Sequence, residues 1–261
     1  MAEALYYLSE DLAWAPASAP RGEFVVVTDA VESSGAFLMH HLLALFLKAG
    51  HRVCFVHFAS SREHYAAVAR KLGVNFSTSE AAGALHLINC FASPPSTLLE
   101  LFDAIAAVAE ADSSKEPTPV SVVIDDLSAL KWEFGADKVL AFARCCKTLT
   151  HASNGCANVV MLSHADTEAS GATAASSQLS QSTSSKSPLK SMNPVLRDIA
   201  SVIFSVAPLP SGYSKDVHGT LMAQRQNSGL EPFRAPVTLS YKILENTIKC
   251  FRSGGDALRS M

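Results

Sequence analysis

The stretch Phe24-Val-Val-Val-Thr-Asp-Ala-Val-Glu-Ser-Ser-Gly-Ala-Phe37 decides the fold. Four apolar residues, Phe24 to Val27, read as a buried strand, and a polar turn with one glycine follows. From Ala36 a long apolar pattern reads as a helix. This is the layout of a phosphate-binding loop, where Gly, four residues, Gly, Lys and Ser or Thr join a strand to a helix. With Gly35 on the second glycine, Ala30 falls on the first, Ala36 on the lysine and Phe37 on the hydroxyl residue. The scaffold is kept and its reactive groups are lost.

Each replacement has a physical consequence. The motif's lysine balances the charge of the outer phosphates, and its hydroxyl coordinates Mg²⁺. A methyl and a benzyl group do neither. Glu32, at the loop apex, adds a carboxylate near any bound phosphate. At about 4 Å and an effective dielectric of about 20, that repulsion costs about 4 kcal/mol per unit charge. Lys48 lies roughly 18 Å up the helix and cannot substitute. Backbone N–H groups at the helix start keep only a weak pull on anions. No productive ATP site, and no cofactor, is expected on this chain alone.

A second segment, Ser121-Val-Val-Ile-Asp-Asp-Leu-Ser-Ala-Leu130, ends an apolar run in acid. In a phosphate-loop ATPase the first such Asp holds the metal, here Asp125. The plainer reading is a strand end whose acids face solvent or cap the next turn. It is preferred here, because the loop that should face these acids is disabled.

Strand-like runs recur at 24–29, 53–58, 85–91, 120–125 and 159–163, separated by helical patterns over 36–49, 61–72, 96–110 and 137–151. Strands alternating with helices predict an α/β fold with a mostly parallel, doubly wound sheet and helices on both faces. A short helix over 194–200 and a strand over 201–206 come next. Two extended stretches, 217–225 and 236–244, read as an antiparallel hairpin or meander across an Asn-Ser-Gly turn. Residues 165–191 contain only small and polar types in bulk and read as a mobile Ser-rich loop. Residues 1–252 therefore read as one domain, and 253–261 as a frayed tail. Lys186 and Lys190, the only basic residues of the Ser-rich loop, are its candidates for RNA contact.

Charged residues make up 17% of the 261-residue chain, against about 25% in an ordinary soluble domain. Part of that deficit is the Ser-rich stretch; the rest predicts a surface covered by other protein, as in an obligate oligomer. A net charge of −3 excludes general electrostatic attraction to nucleic acid. No apolar run approaches the roughly 20 residues of a membrane span, so no membrane partner is expected. The acidic, aromatic N-terminus is no secretory signal. Six cysteines without a Cys-x-x-Cys pair suit buried free thiols, and a cytosolic or nuclear address follows.

Other constellations read as structural. His40-His41 point about 100° apart on a helix and make a poor metal pair. Cys145-Cys146 with His151 lacks zinc-site spacing. Ser163, His164 and Asp166 hold the letters of a hydrolytic triad, but neighbours in sequence rarely supply its geometry. Arg225, Arg234 and Lys242 could act in trans on a neighbour's nucleotide in a ring, but ordinary surface roles are preferred for each. A dinucleotide fingerprint needs three spaced glycines, and only Gly35 is present.

Together these residues resemble a known family. The strand end Thr28-Asp29, the block Val31-Glu-Ser-Ser-Gly-Ala-Phe-Leu38 and His40-His41-Leu-Leu43 look like the Elongator complex subunit six family. So do Ser61-Arg-Glu-His-Tyr65, Arg70-Lys-Leu-Gly73 and Val123-Ile-Asp-Asp-Leu-Ser128. The resemblance implies a RecA-like fold with a degenerate loop. It also implies assembly with Elongator subunits four and five into a heterohexameric ring that binds tRNA. That ring would serve the catalytic Elongator subcomplex, which modifies wobble uridine 34. Scaffolding is carried over and no catalytic residue is. Ala30, Glu32, Gly35, Ala36 and Phe37 count as a vestigial phosphate loop, and Asp125 as a vestigial metal acid. The Ser-rich stretch resembles, in its position along the chain, the DNA-binding loop of recombinases. Two rivals follow: an active ATPase using Asp125, which Ala36 and Phe37 oppose, and a single-stranded-DNA-binding recombinase paralogue, which would need a more basic loop.

Overall fold

The structure, a computed structural model, describes residues 12, 14–110, 118–151, 157–165, 192–209, 211–212, 214–226, 235–244 and 248–252. Its N-terminal half alternates β1 (Phe24–Asp29), α1 (Ala36–Lys48), β2 (Arg52–His57), α2 (Arg62–Lys71), α3 (Phe76–Ala81), β3 (Leu85–Asn89) and α4 (Leu98–Glu110). Then come β4 (Val120–Ile124), α5 (Leu127–Phe134), α6 (Ala136–Thr148), β5 (Asn158–His164), α7 (Asn193–Ile199) and β6 (Val202–Ala207). The chain closes with β7 (Gly219–Arg225), β8 (Val237–Ile243) and β9 (Ile248–Arg252). All strands join one sheet in the order β3-β2-β4-β5-β1-β6-β7-β8-β9. The first six are parallel, and β7, β8 and β9 run antiparallel.

Helices cover both faces, which is why β1 and β4 are buried at every residue and are mostly apolar. Successive side chains alternate between two cores. Val25 and Val27 meet Leu38, Leu42 and Phe46 of α1, with Tyr65 and Phe76 of α2 and α3 in the same core. Phe24 and Val26 join the opposite core, with Leu101 and Ile105 of α4, Leu127 of α5, Leu140 of α6 and Leu196 of α7. The antiparallel extension packs closely on β6. A Cβ on Gly219 would stand 2.5 Å from the Ala207 carbonyl oxygen and 2.9 Å from the Tyr241 ring, so only glycine fits there.

Four elements depart from the sequence reading. α3 has too few apolar residues to show a period; Asn75 caps it by accepting from the Thr78 N–H at 3.3 Å. α5 begins directly after the acids, where a strand-to-turn ending is expected from sequence. β3 stops at Asn89, whose side chain accepts from the Ala92 N–H at 3.0 Å and turns the chain, leaving Phe91 54% exposed. The segment up to Arg252 forms β9 and extends the meander by one strand. The Asn-Ser-Gly turn, nearly all of the Ser-rich loop with Lys186 and Lys190, Arg234 and the 253–261 tail lie outside the described residues.

Candidate functional site

β5 lies between β1 and β4, so the carboxyl ends of these three strands form one edge, where ligands bind in open α/β sheets. Asp29, Asp125, Asp126, Ser163 and His164 all reach that edge. The degenerate loop lies over it.

Within the loop, the Ser33 N–H donates to the Ala30 carbonyl at 2.9 Å and closes a tight turn. Val31 and Glu32 stand exposed at its apex. Gly35 has an ordinary φ of −82°, so its role is space. A Cβ there would lie 3.1 Å from Val27 Cγ1 and 3.2 Å from both Asp29 Cβ and Leu162 Cδ1. Its N–H donates to Asp29 Oδ2 at 2.7 Å, so a carboxylate of the same chain occupies the loop's amide. Asp29 is 2% exposed. Ala36, in the lysine position, is exposed. Phe37, in the hydroxyl position, is 8% exposed and lies 4.8 Å from the Tyr241 ring of β8. The residue that would hold a metal now belongs to the core.

His164 links the edge together. Its Nδ1–H donates to Asp29 Oδ1 at 2.6 Å, and its Nε2 stands 3.7 Å from Asp126 Oδ1. Asp126 and then Asp29 raise the imidazole's pKa to about 10, against partial burial, so it is protonated at neutral pH. Asp126 Oδ1 also caps α5, accepting from the Ser128 N–H at 2.7 Å and the Ala129 N–H at 3.2 Å. The Ser128 hydroxyl in turn accepts from the His164 N–H at 3.0 Å.

Asp125 faces the other way and is buried. Oδ1 accepts from the Phe58 N–H at 2.7 Å; Oδ2 accepts from the Ala59 N–H at 3.2 Å and from the Tyr65 hydroxyl. Burial pushes its pKa up, while those three donors pull it down. The expected solvent-facing or capping acid is therefore correct for Asp126 and replaced, for Asp125, by a brace between β4 and the β2–α2 turn. Both its oxygens are engaged by protein.

The remaining candidates separate. The Ser163 hydroxyl donates to Asn193 Oδ1 at 2.8 Å, towards α7, so Ser163 and His164 form no nucleophile–base pair; Asp166 lies outside the described residues. His40 packs 5.3 Å from the Tyr65 ring, and burial, then His64 and His41, lower its pKa to about 4. His41 Nδ1–H donates to the Phe37 carbonyl at 2.8 Å. Among the described residues no group of three or more His, Cys, Asp or Glu is placed to hold a metal ion. The five described cysteines are free, and four of them are buried; Cys145 is exposed. Arg225 pairs with Glu23 at 2.6 Å, at the start of β1, and Lys242 with Asp216 at 2.9 Å. Both are committed locally.

One feature was not expected from sequence: an apolar groove of about 410 Å³ between α4 and α6, lined by Leu98, Leu99, Phe102, Phe134, Phe142 and Cys145. Leu99 is 69% exposed, and Trp132, on the helix that carries Phe134, is 78% exposed. The available signal was α4 itself, whose sequence Leu-Leu-Glu-Leu-Phe-Asp-Ala-Ile-Ala-Ala-Val-Ala-Glu is too apolar for one buried stripe. No helix among the described residues is long and apolar enough to cross a membrane.

Solved structures show the same architecture. The flagellar accessory protein FlaH from Methanocaldococcus jannaschii superposes with a TM-score of 0.60 at 14% identity, over 92% of this chain and 94% of its own. A KaiC-like protein from Pyrococcus horikoshii superposes at 0.58 and 13% identity, over 89% and 90%. The fold is RecA-like. At the sequence level, Elongator complex protein 6 of Xenopus laevis is 31% identical over 263 residues, 89% of this chain and 91% of its own. The Mus musculus protein of that name is 30% identical over 95% of this chain and 96% of its own, and the Homo sapiens one 27% over 92% and 93%. The family model for Elongation complex protein 6 matches residues 6–101 and 86–245, and with these relatives aligned nearly end to end the chain belongs to that family.

Proposed function

We infer that this chain is a non-catalytic subunit of Elongator. In this reading it packs with subunits four and five, also RecA-like, into a heterohexameric ring. The ring binds tRNA and supports wobble uridine 34 modification by the catalytic subcomplex. Its working compartment is the cytoplasm, with the nucleus as a second address. Lys186 and Lys190 are its proposed tRNA contacts.

One observation carries the reading. The groups that would meet phosphate and metal at the carboxyl edge are bonded to the protein itself. The Gly35 amide is taken by Asp29, both oxygens of Asp125 are taken by Phe58, Ala59 and Tyr65, and Phe37 is in the core. What this leaves for function is surface. Phe91, Leu99 of α4 and Trp132 of α5 are exposed apolar side chains, and covering them favours association.

The test is a Mg²⁺-ATP titration of the isolated chain alongside the co-expressed three-subunit assembly. The reading expects no binding or turnover by the chain alone. Mg²⁺-dependent turnover by the isolated chain would make it an enzyme.

A further inference from the structure

The loss of lysine and hydroxyl explains why a nucleotide binds poorly. It does not say what the loop's amide meets in place of a phosphate. In an ordinary phosphate loop the backbone N–H groups converge on an anion, and the positive end of the following helix adds to that pull. Here the anion is inside the chain. Asp29 Oδ2 accepts from the Gly35 N–H at 2.7 Å at the start of α1, and Oδ1 is held by His164 at 2.6 Å.

We propose that Asp29 is a built-in phosphate surrogate: its carboxylate occupies the anion-binding amide of the 30–35 loop and keeps that loop closed without nucleotide. A carboxylate and a phosphate offer an amide the same partner, an anionic oxygen, and charge-assisted bonds of this kind are stronger than neutral ones. The carboxylate is fixed at both oxygens and cannot swing aside without breaking two bonds. Its clamp is built by the sheet, because Asp29 and His164 are register partners in the parallel β1–β5 ladder. Groups facing it from other elements are His164 of β5 and Tyr241 of β8, which feels its charge; Asp126, at the cap of α5, faces the other nitrogen of the His164 ring. A free phosphate would have to displace one carboxylate while Glu32 stands exposed on the same loop. The subunit thus presents one loop shape at every nucleotide concentration.

The surrogate concerns the chain alone, so it can fail while the ring reading stands. The test is amide hydrogen exchange of the full chain, with and without inorganic phosphate at constant ionic strength. In the wild type, the Gly35 amide should be protected and indifferent to phosphate. In Asp29→Ala, loop amides should exchange about tenfold faster or more, the loss expected for one hydrogen bond to a charged group, and phosphate should restore protection. Asp29→Asn keeps one acceptor oxygen but loses the charge and sets an amide NH2 against one of the two donors, so its Gly35 protection should fall between those of the wild type and Asp29→Ala. A wild-type Gly35 amide that exchanges freely overturns the proposal, and so does wild-type protection that rises with phosphate. An Asp29→Ala loop that stays protected, or opens and ignores phosphate, overturns it too. If Asp29→Ala does not fold, the wild-type amide and the Asn variant decide. Failure here with normal assembly rejects the surrogate only; failure of assembly with a protected Gly35 rejects only the ring.

Discussion

Asp125 satisfies three buried donors at once, so its removal is a structural event. Asp125→Ala leaves the Phe58 and Ala59 N–H groups and the Tyr65 hydroxyl unpaired. At about 1–3 kcal/mol for each buried unsatisfied group, stability should fall by about 3 kcal/mol or more, read as a lower urea midpoint at unchanged slope. His164 gives a pH signature of the opposite kind. Its folded pKa is raised from 6.5 to about 10, so the stabilisation it carries is fully present below pH about 6.5 and fades as pH rises through about 10. Denaturation midpoints should therefore decline between these limits, and His164→Gln should flatten that decline. An unchanged slope in the variant would remove His164 as the cause. Which residues met here was only partly legible in sequence. The loop letters showed what was missing. What replaced them was hidden, because Asp29 and His164 are 135 positions apart and meet only through the β1–β5 ladder.

At the scale of elements, Phe37 ties the first turn of α1 to β8. Restoring the motif's letters with the double substitution Ala36→Lys and Phe37→Ser should yield no ATP turnover, since Asp29 still holds the Gly35 amide. It should also destabilise the chain by about 3–5 kcal/mol, the usual cost of truncating a buried Phe. Coupled turnover by the double variant would contradict the self-filled loop. Elements buried on both faces were plain from sequence, because β1 and β5 carry four consecutive apolar residues and β4 only one polar residue, Ser121, within its span. α3 was not, since six residues with one buried side chain show no period. α5 was masked by Asp126, which reads as a strand-ending acid yet caps a helix. The exposed face of α4 gave composition but no pattern, and the groove beside it follows from how α4 and α6 pack.

For the whole molecule, the RecA-like sheet and membership of the Elongator complex protein 6 family leave assembly as the function the site supports best. Trp132→Glu places a charge on the most exposed indole without touching either core. It should leave the melting temperature of the isolated chain nearly unchanged and reduce co-purification with subunits four and five severalfold. Unimpaired assembly would remove that face from the interface.

The most direct test is co-expression with Elongator subunits four and five, with the mass measured by light scattering and tRNA binding measured on the same sample. The account predicts a stable complex of hexameric mass that binds tRNA, while this chain alone neither binds nor hydrolyses Mg²⁺-ATP. A lone monomer that excludes itself from the complex and turns over ATP would contradict it.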